Sequence, residues 1–513
     1  MAYTTPSTQI DLMRVATDPS YRNVRYFQTL QDQYDYFTSK TISTHSSITY
    51  QNYSSGKLRL QVSAETVKNC NYIRIRNVSY ENKAYYAFLT SYEVISDNCV
   101  ELQFKIDYFQ TYFFDYITPS CYIERTHTNT DNVGDNIEKE PLSVELKTLK
   151  EGTHVNYYDL SQNIVMVNTP ATWNPQNLRI LNNQIIVADV TLFDLSVQSS
   201  RDLFLAVIQD LNYQGALDRI LFMKSIPDWA YSTTNTTNTP YLPSHNVIHT
   251  VDATVFQPSH SGGSTYTPRN YKLYTSQFTK IRIMDSNGST LDLRPECFDN
   301  PGKITEINVT ETCNLIGDVV VMVKLNNYSD NTRENRIYIG GFPDVILTRD
   351  RWNEYLSQNG ASVGLNLIRS ALSANSIAGS IGSLSPLATM ADIKRQPSSV
   401  LGSPGVSYPV ASAELGWASY KLQVPAEEAQ RIDEYFDIYG YSVNTVDIPS
   451  RKVRDRFTYV KTKELRVRGN NMPEDAITVI SEAYNNGVTF WADNDNFMNY
   501  SIVIREANSL HNS

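Results

Sequence analysis

A mainly β fold with a minor α component is what this sequence predicts, and three observations carry that expectation. Val100-Glu101-Leu102-Gln103-Phe104-Lys105-Ile106-Asp107 alternates apolar and polar residues without a fault, the period of a half-buried strand. Asn287-Gly288 stands between Ile281-Arg282-Ile283 and Leu291-Asp292-Leu293, a strong hairpin signal because both turn residues tolerate positive φ. Tyrosine occurs 35 times against 18 Phe and 5 Trp, and a ring that is apolar on its face and wet at its hydroxyl suits strand surfaces and packed interfaces.

Along the first 125 residues, Tyr85-Tyr86-Ala87-Phe88-Leu89 precedes the turn Ser96-Asp97-Asn98 and pairs as a hairpin with the strand at 100–107. Tyr72-Ile73-Arg74-Ile75-Arg76 is a further alternating strand, so this region reads as a meander or barrel. Residues 126–345 are mixed. Ser200 is placed to cap a helix running through Arg201-Asp202-Leu203-Phe204-Leu205-Ala206-Val207-Ile208. The Ser/Thr/Asn/Pro-rich stretch from Tyr231 to Pro268 reads as a long exposed excursion, and Val319 to Leu325 as a buried strand. The last hundred residues read helix, hairpin, helix, strand. Pro425 with Glu427 and Glu428 opens the first helix, Ile432, Tyr435, Phe436 and Tyr439 form its apolar stripe, and Gly440 closes it. Pro473-Glu474-Asp475 opens the second, lined by Ile477, Ile480 and Tyr484 and closed by Gly487.

The chain of 513 residues is long enough for two to four domains, and its 41% hydrophobic content is that of a globular protein. A net charge of −10 argues against general nucleic-acid binding, whose footprint is basic. It is compatible with a conduit along which DNA slides. Cys70, Cys99, Cys121, Cys297 and Cys313 form no CxxC pair and are odd in number, so they read as reduced, mostly buried thiols of a protein made in a cytosol. The start Met-Ala-Tyr-Thr-Thr-Pro lacks the basic and apolar regions of a signal peptide.

Ser370 to Ala391 carries no charged side chain and is rich in Ser, Gly and Ala. Its length would span a bilayer as a helix, yet Asn375, Pro386 and the serines make it far less apolar than a standard membrane span. Ala374, Ala378 and Gly382 recur every four residues, the spacing that lets helices approach closely. A flexible linker and a stored, membrane-directed segment both fit this composition.

No catalytic constellation, metal set or cofactor motif stands out, so no enzyme and no cofactor are expected. GxGxxG, Walker, GxSxG and HExxH patterns are all missing. His245 and His249 have the spacing of a helical zinc pair, but Asn246-Val247-Ile248 favours a strand, which sets them roughly 13 Å apart. One charged feature remains. Arg454/Arg456, Lys461/Lys463 and Arg466/Arg468 are pairs two residues apart, each sharing a strand face, within a basic run from Arg451 to Arg468. This patch fits either carboxylates of a neighbouring subunit or DNA phosphates.

The two ends of the chain carry a resemblance. Tyr21-Arg22-Asn23-Val24-Arg25-Tyr26-Phe27, Gln33-Tyr34-Asp35-Tyr36-Phe37, Asn82-Lys83-Ala84-Tyr85-Tyr86-Ala87-Phe88, Phe104 to Tyr112 and Tyr122-Ile123-Glu124-Arg125 follow in that order near the start. Tyr435 to Tyr441, Phe457 to Lys463, Asn485 to Trp491 and Asn499-Tyr500-Ser501 follow near the end. In this colinear order the strings resemble the distal tail tube, or tail knob, proteins of picovirus-type short-tailed bacteriophages. The resemblance implies a β-rich homohexameric tube through which double-stranded DNA is ejected, located in the virion at the distal end of the tail and joined to collar or connector proteins. It divides the chain into an N-terminal β-barrel or sandwich tube domain (1–125), an inserted knob domain (126–345), a helix with a long apolar loop (346–412) and a C-terminal tube domain (413–513). It implies further that the loop at 360–405 plugs the tube and acts on the host membrane, with Leu365, Leu367, Ile368, Leu372, Ile377, Ile381, Leu384 and Leu387 as its apolar side chains. The alternative is a receptor-binding appendage that meets a cell-wall glycan through the Tyr231–Pro268 excursion.

Overall fold

The computed structural model describes residues 7–49, 56–78, 81–157, 163–168, 179–181, 184–186, 189–194, 198–214, 216, 219–230, 244–251, 266–285, 288–301, 304, 306–315, 319–331, 335–339 and 416–501. The chain divides into two units, each gathered from separated stretches: residues 1–143, 267–273 and 427–513 in the first, 144–266 and 274–426 in the second. Strands dominate both, as expected.

The first unit holds a six-stranded antiparallel sheet ordered β3 (Thr41–Ile48), β1 (Thr8–Met13), β5 (Tyr72–Asn77), β6 (Tyr85–Ser96), β7 (Cys99–Ile106) and β4 (Lys57–Leu60). The expected meander is β5–β6–β7, with Leu89 opposite Phe104 and Ala87 opposite Ile106. Alternation in β7 sends Val100, Leu102 and Phe104 into a core with Ile10, Leu12, Ile73 and Ile75. The alternation of β5 is not used as the sequence suggested. Arg74 is 2% exposed, because helix α1 (Leu30–Ser39) covers the second face of the sheet. Arg74 donates there to the Thr38 hydroxyl at 3.0 Å and the Tyr34 carbonyl at 3.3 Å, and reaches Asp11 at 2.8 Å. Helix α1 starts at a capping box in which Thr29 and Asp32 satisfy each other's backbone N–H.

The second sheet of this unit is ordered β2 (Asn23–Arg25), β26 (Val488–Trp491), β24 (Phe457–Lys463), β9 (Cys121–Thr126) and β23 (Tyr441–Asp447). A two-stranded ladder joins β8 (Tyr116–Ile117) to β25 (Arg468–Gly469). The expected C-terminal hairpin is absent here, since β23 and β24 each pair antiparallel with β9, which lies between them. Helix α2 (Ala64–Val67) and helix α3 (Tyr108–Thr111) are single turns. The two predicted helices near the end are α5 (Ala426–Tyr439) and α6 (Glu474–Asn486), the latter burying Ala476, Ile480 and Tyr484. Tyrosine departs from the surface role its abundance suggested. Tyr72, Tyr441 and Tyr484 are wholly buried, with hydroxyls satisfied inside: Tyr72 donates to Asp107 at 2.8 Å, Tyr441 to Asp131 at 2.9 Å, and Tyr484 lies 3.2 Å from the Tyr116 hydroxyl.

Gly440 ends α5 at φ +65°, its N–H donating to Phe436 O at 2.8 Å. A Cβ there would lie 2.3 Å from the Thr126 carbonyl, which is backbone and has little room to yield. Gly440→Ala is therefore expected to destabilise by about 2 kcal/mol or more, measured by urea unfolding. Gly288→Ala is the control: φ is +88° but nothing lies within 4 Å, so only the conformational penalty of about 1 kcal/mol applies. Equal losses at the two positions would contradict this account.

In the second unit, β10 (Lys147–Asn156), β22 (Gly416–Gln423), β17 (Thr279–Asp285) and β18 (Thr290–Leu293) form one sheet, and β17–β18 is the predicted hairpin, with Ile283 opposite Leu291. Strands β14 (Asp189–Asp194), β11 (Asn163–Asn168) and β15 (Ile220–Ser225) form another, and β12 (Arg179–Leu181) pairs with β13 (Gln184–Ile186). A third is ordered β16 (Ser244–Thr250), β19 (Glu306–Leu315), β20 (Val319–Leu325) and β21 (Arg336–Ile339), which includes the expected strand at 319–325. Helix α4 (Gln198–Tyr213) begins before Ser200, which is an interior residue rather than its cap. The excursion from Tyr231 to Pro268 contains strand β16; residues 231–243 and 252–265 lie outside the described residues. His245 and His249 are on that strand, as their intervening residues predicted. Trp417 Nε1 donates to the Tyr157 hydroxyl at 2.9 Å, and Tyr157 donates to Glu311 at 2.5 Å, all three buried.

Candidate functional site: a shared sheet, a buried charge cluster and a basic run

The first unit is built where the two ends of the chain meet. Strand β2 runs parallel to β26, with Asn23, Val24 and Arg25 opposite Thr489, Phe490 and Trp491. Trp491 Nε1 and the Tyr500 hydroxyl both donate to Asn23 Oδ1, at 2.9 and 2.7 Å. Arg25 donates to Asn494 O at 2.7 Å and Ala16 O at 3.0 Å, with its guanidinium 4.0 Å from the Phe497 ring and 4.7 Å from that of Tyr36. Strings from opposite ends of the sequence, Tyr21–Phe27 and Tyr122–Arg125 with Phe457–Lys463 and Asn485–Trp491, are thus neighbours in one sheet.

A buried charge cluster fastens the inserted segment 267–273 to this sheet. Glu140 accepts from Arg125, from Lys272 at 2.5 Å and from the Ser442 N–H at 2.9 Å. Arg125 also donates to Gly440 O at 2.5 Å. Nearby, Arg269 grips Asp437 at 2.7 Å, while Asn270 donates to Asp433 and Asp437, each at 2.8 Å. Burial, then the Arg125 guanidinium, push the Lys272 ammonium down to about 7. Burial and the Arg454 guanidinium hold His127 well below the usual histidine range. Its neutral ring accepts from Tyr459 N–H at 3.0 Å and donates to Asp437 O at 3.2 Å.

Asp107 is the other perturbed acid. It caps α3 by accepting from Gln110 N–H at 3.1 Å, yet burial raises it to about 6, with the Gln110 and Tyr72 hydrogen bonds opposing. A carboxyl raised in the fold stabilises fully below its unfolded value of 3.8, and that contribution is lost as pH rises through about 6. The stability of the wild type relative to Asp107→Asn should therefore fall between pH 4 and 7, by up to about 3 kcal/mol. Thermal melts of both proteins across that range test it, and a flat difference would refute it.

The basic run is only partly organised as the sequence suggested. Lys461 and Lys463 share an outward face of β24, but Arg454 and Arg456 precede the strand, and Arg466 lies between β24 and β25. Lys461 reaches Glu124 at 2.8 Å in a half-buried pair, and Arg466 reaches Glu474 at 2.5 Å in an exposed pair worth little stability. Lys463 and Arg468 are exposed. Leu365, Leu367, Ile368, Leu372, Ile377, Ile381, Leu384 and Leu387 lie outside the described residues. Among the described residues, no helix is long and apolar enough to cross a membrane. The five cysteines are free thiols, Cys70 and Cys313 buried and the others half-buried. The charge cluster was not foreseen from the sequence; its visible traces were Arg125 inside the Tyr122–Arg125 string and Asp437 and Gly440 inside the Tyr435–Tyr441 string.

A strand-rich unit closed by both chain ends defines a class once it is compared with known proteins. Residues 7–117 match the family described as caudoviral major tail protein N-terminus. Residues 245–387 and 384–503, together just over half of the chain, match the family described as Bacillus phage phi29, tail knob protein gp9, C-terminal domain. The class is that of tailed-phage tail proteins. The chain belongs to the tail knob protein family represented by phi29 gp9. It is 23% identical to tail knob protein gp9 of Bacillus phage phi29, over 94% of this chain and 96% of that protein. It is 21% identical to the gp9 of Bacillus phage PZA, with the same coverage. The solved structure of the bacteriophage C1 tail knob protein gp12 superposes with a TM-score of 0.57 at 13% identity, covering 97% of this chain and 99% of that one, which shows a shared fold.

Proposed function

We propose that this protein is a non-enzymatic, structural component of a short-tailed phage virion: a homohexameric tail tube and knob that conducts the genome at ejection. The observation that carries this reading is the sheet in which strands from both ends of the chain pair within a single unit. Such a unit suits a tube wall, since closing subunits into a ring hides sheet edges that would otherwise pair promiscuously. The first unit supplies the wall and the second the knob, with collar or connector proteins above. Six copies at −10 each carry −60, and an acidic lumen repels phosphates so that double-stranded DNA slides without base-specific contacts. Lys463, Arg468 and the rest of the basic run serve subunit contacts or the passing DNA. The protein is made in the host cytoplasm. The stretch at 360–405 plugs the tube and engages the host membrane when released.

Negative-stain images of the purified protein should show rings or short hollow cylinders, and a strict monomer would count against the tube. Deleting residues 360–405 should leave the rings intact while abolishing leakage from dye-loaded liposomes. Undiminished leakage would sink the membrane role and leave the tube standing.

A further inference from the structure

The sheet β16-β19-β20-β21 of the second unit buries one face through Ile307, Val309, Val321, Val323, Ile337 and Ile339. Its other face carries a cross-strand ladder that touches every strand: Asn246 opposite Thr310, Thr310 opposite Lys324, Lys324 opposite Arg336. Three strand spacings make this ladder about 14 Å wide. One end is a fixed row of amides and hydroxyls. Asn326 Nδ2 donates to Thr310 Oγ1 at 2.7 Å and Asn308 Oδ1 at 3.1 Å, and Asn246 Oδ1 accepts from Thr310 at 3.3 Å. The other end is two exposed cations directly opposite each other, an arrangement that disfavours the sheet by itself. Neither Lys324 nor Arg336 has an ion-pair partner among the described residues. The ladder is bordered by exposed apolar side chains, Ile248 at 58% and Tyr338 at 49%.

We infer that this face binds a hydroxyl-rich polymer bearing spaced phosphates. The cation pair supplies the complement to one phosphate, and the repulsion between the two cations is relieved when an anion sits between them. The amide and hydroxyl row offers donors and acceptors to the hydroxyl groups of the adjoining repeat, while Tyr338, beside Arg336, offers a ring face to the carbon skeleton next to the phosphate. Duplex DNA fits less well: it carries a charge per about 1.7 Å, so a strip this wide would present roughly eight phosphates to two cations. The inference concerns the second unit alone and does not rest on the hexameric tube.

The full-length protein should bind soluble poly(glycerol phosphate) in a pull-down or calorimetric titration, with affinity falling as salt is raised. The variant K324Q/R336Q should bind at least about tenfold more weakly. The control K57Q/R59Q, which removes two exposed cations from β4, should bind as the wild type does. Neutral dextran should not compete. No binding by the wild type, equal binding by K324Q/R336Q, an equal loss in the control, or tighter binding of a DNA duplex through the same two cations would each overturn the inference.

Discussion

Glu140→Gln should destabilise the first unit by about 3–5 kcal/mol, the range expected when one partner of a buried ionic group is removed. Glu140 is wholly enclosed and is the acceptor shared by Arg125 and Lys272, which are themselves 6% and 1% exposed. A neutral amide would leave the Arg125 guanidinium and the Lys272 amine buried without the anion they share, and its NH2 group would meet one of the donors from which the carboxylate now accepts. The triple variant R125M/E140L/K272M should recover most of the loss, because removing all three charges removes the desolvation cost with them. The measurement is amide hydrogen exchange on β9 and β23, the strands that the cluster ties together, alongside denaturant unfolding. Protection that survives Glu140→Gln unchanged would show that the cluster is peripheral to stability.

Arg74→Met is expected to cost about 3–4 kcal/mol by the same mechanism at the six-stranded sheet. Arg74 is one of the side chains that fix α1 over β1 and β5, and methionine fills similar volume without reaching Asp11, Thr38 or the Tyr34 carbonyl. Asp11 would keep Gln9 at 2.9 Å, Thr44 at 2.9 Å and Arg76 at 3.4 Å, so the loss should fall short of that at Glu140. Burial by itself raises Asp11, but the hydrogen bonds from Gln9 and the charge of Arg74 bring it below 3.8. An acid lowered in the fold stabilises above its unfolded value and loses that contribution as pH falls through the folded one. The penalty of Arg74→Met should accordingly begin to shrink once pH falls below 3.8 and be lost only below the lower folded value of Asp11. Urea midpoints for both proteins at pH 7 and pH 3 supply the comparison.

Features set by near neighbours were legible beforehand. Strand β7, the hairpin β17–β18 and helices α5 and α6 follow from a two-residue period, an Asn-Gly turn, and acids and glycines at helix ends. Ser200 was a weaker signal, because a serine satisfies a helix start only when the backbone there is extended, and α4 had already begun at Gln198. The C-terminal hairpin failed for a different reason: β9 competes for both of its strands, and nothing local to 441–463 reveals a partner from residues 121–126. The basic run likewise looked like three strand-face pairs, although the chain bends at Arg454 and at Glu464, and Arg466 lies between two strands.

Charged residues mark the boundary most clearly. Arg74, Arg125, Glu140 and Lys272 read as solvated positions in a chain, where a lone charge gives no sign of burial. Their environment is decided by residues far away, Arg125 by Gly440 at a separation of 315 positions. What the sequence by itself determined was the β-rich character, the strand and helix periods, and, through colinear strings at its two ends, the family. Tertiary structure alone decided that those ends share one sheet, that segment 267–273 is held in the first unit by buried charge, and that four strands align Asn246, Thr310, Lys324 and Arg336 across one face. The physical reason is range. Backbone preferences and side-chain periods act over a few residues, whereas desolvation and cross-strand register depend on partners that only the folded chain brings together.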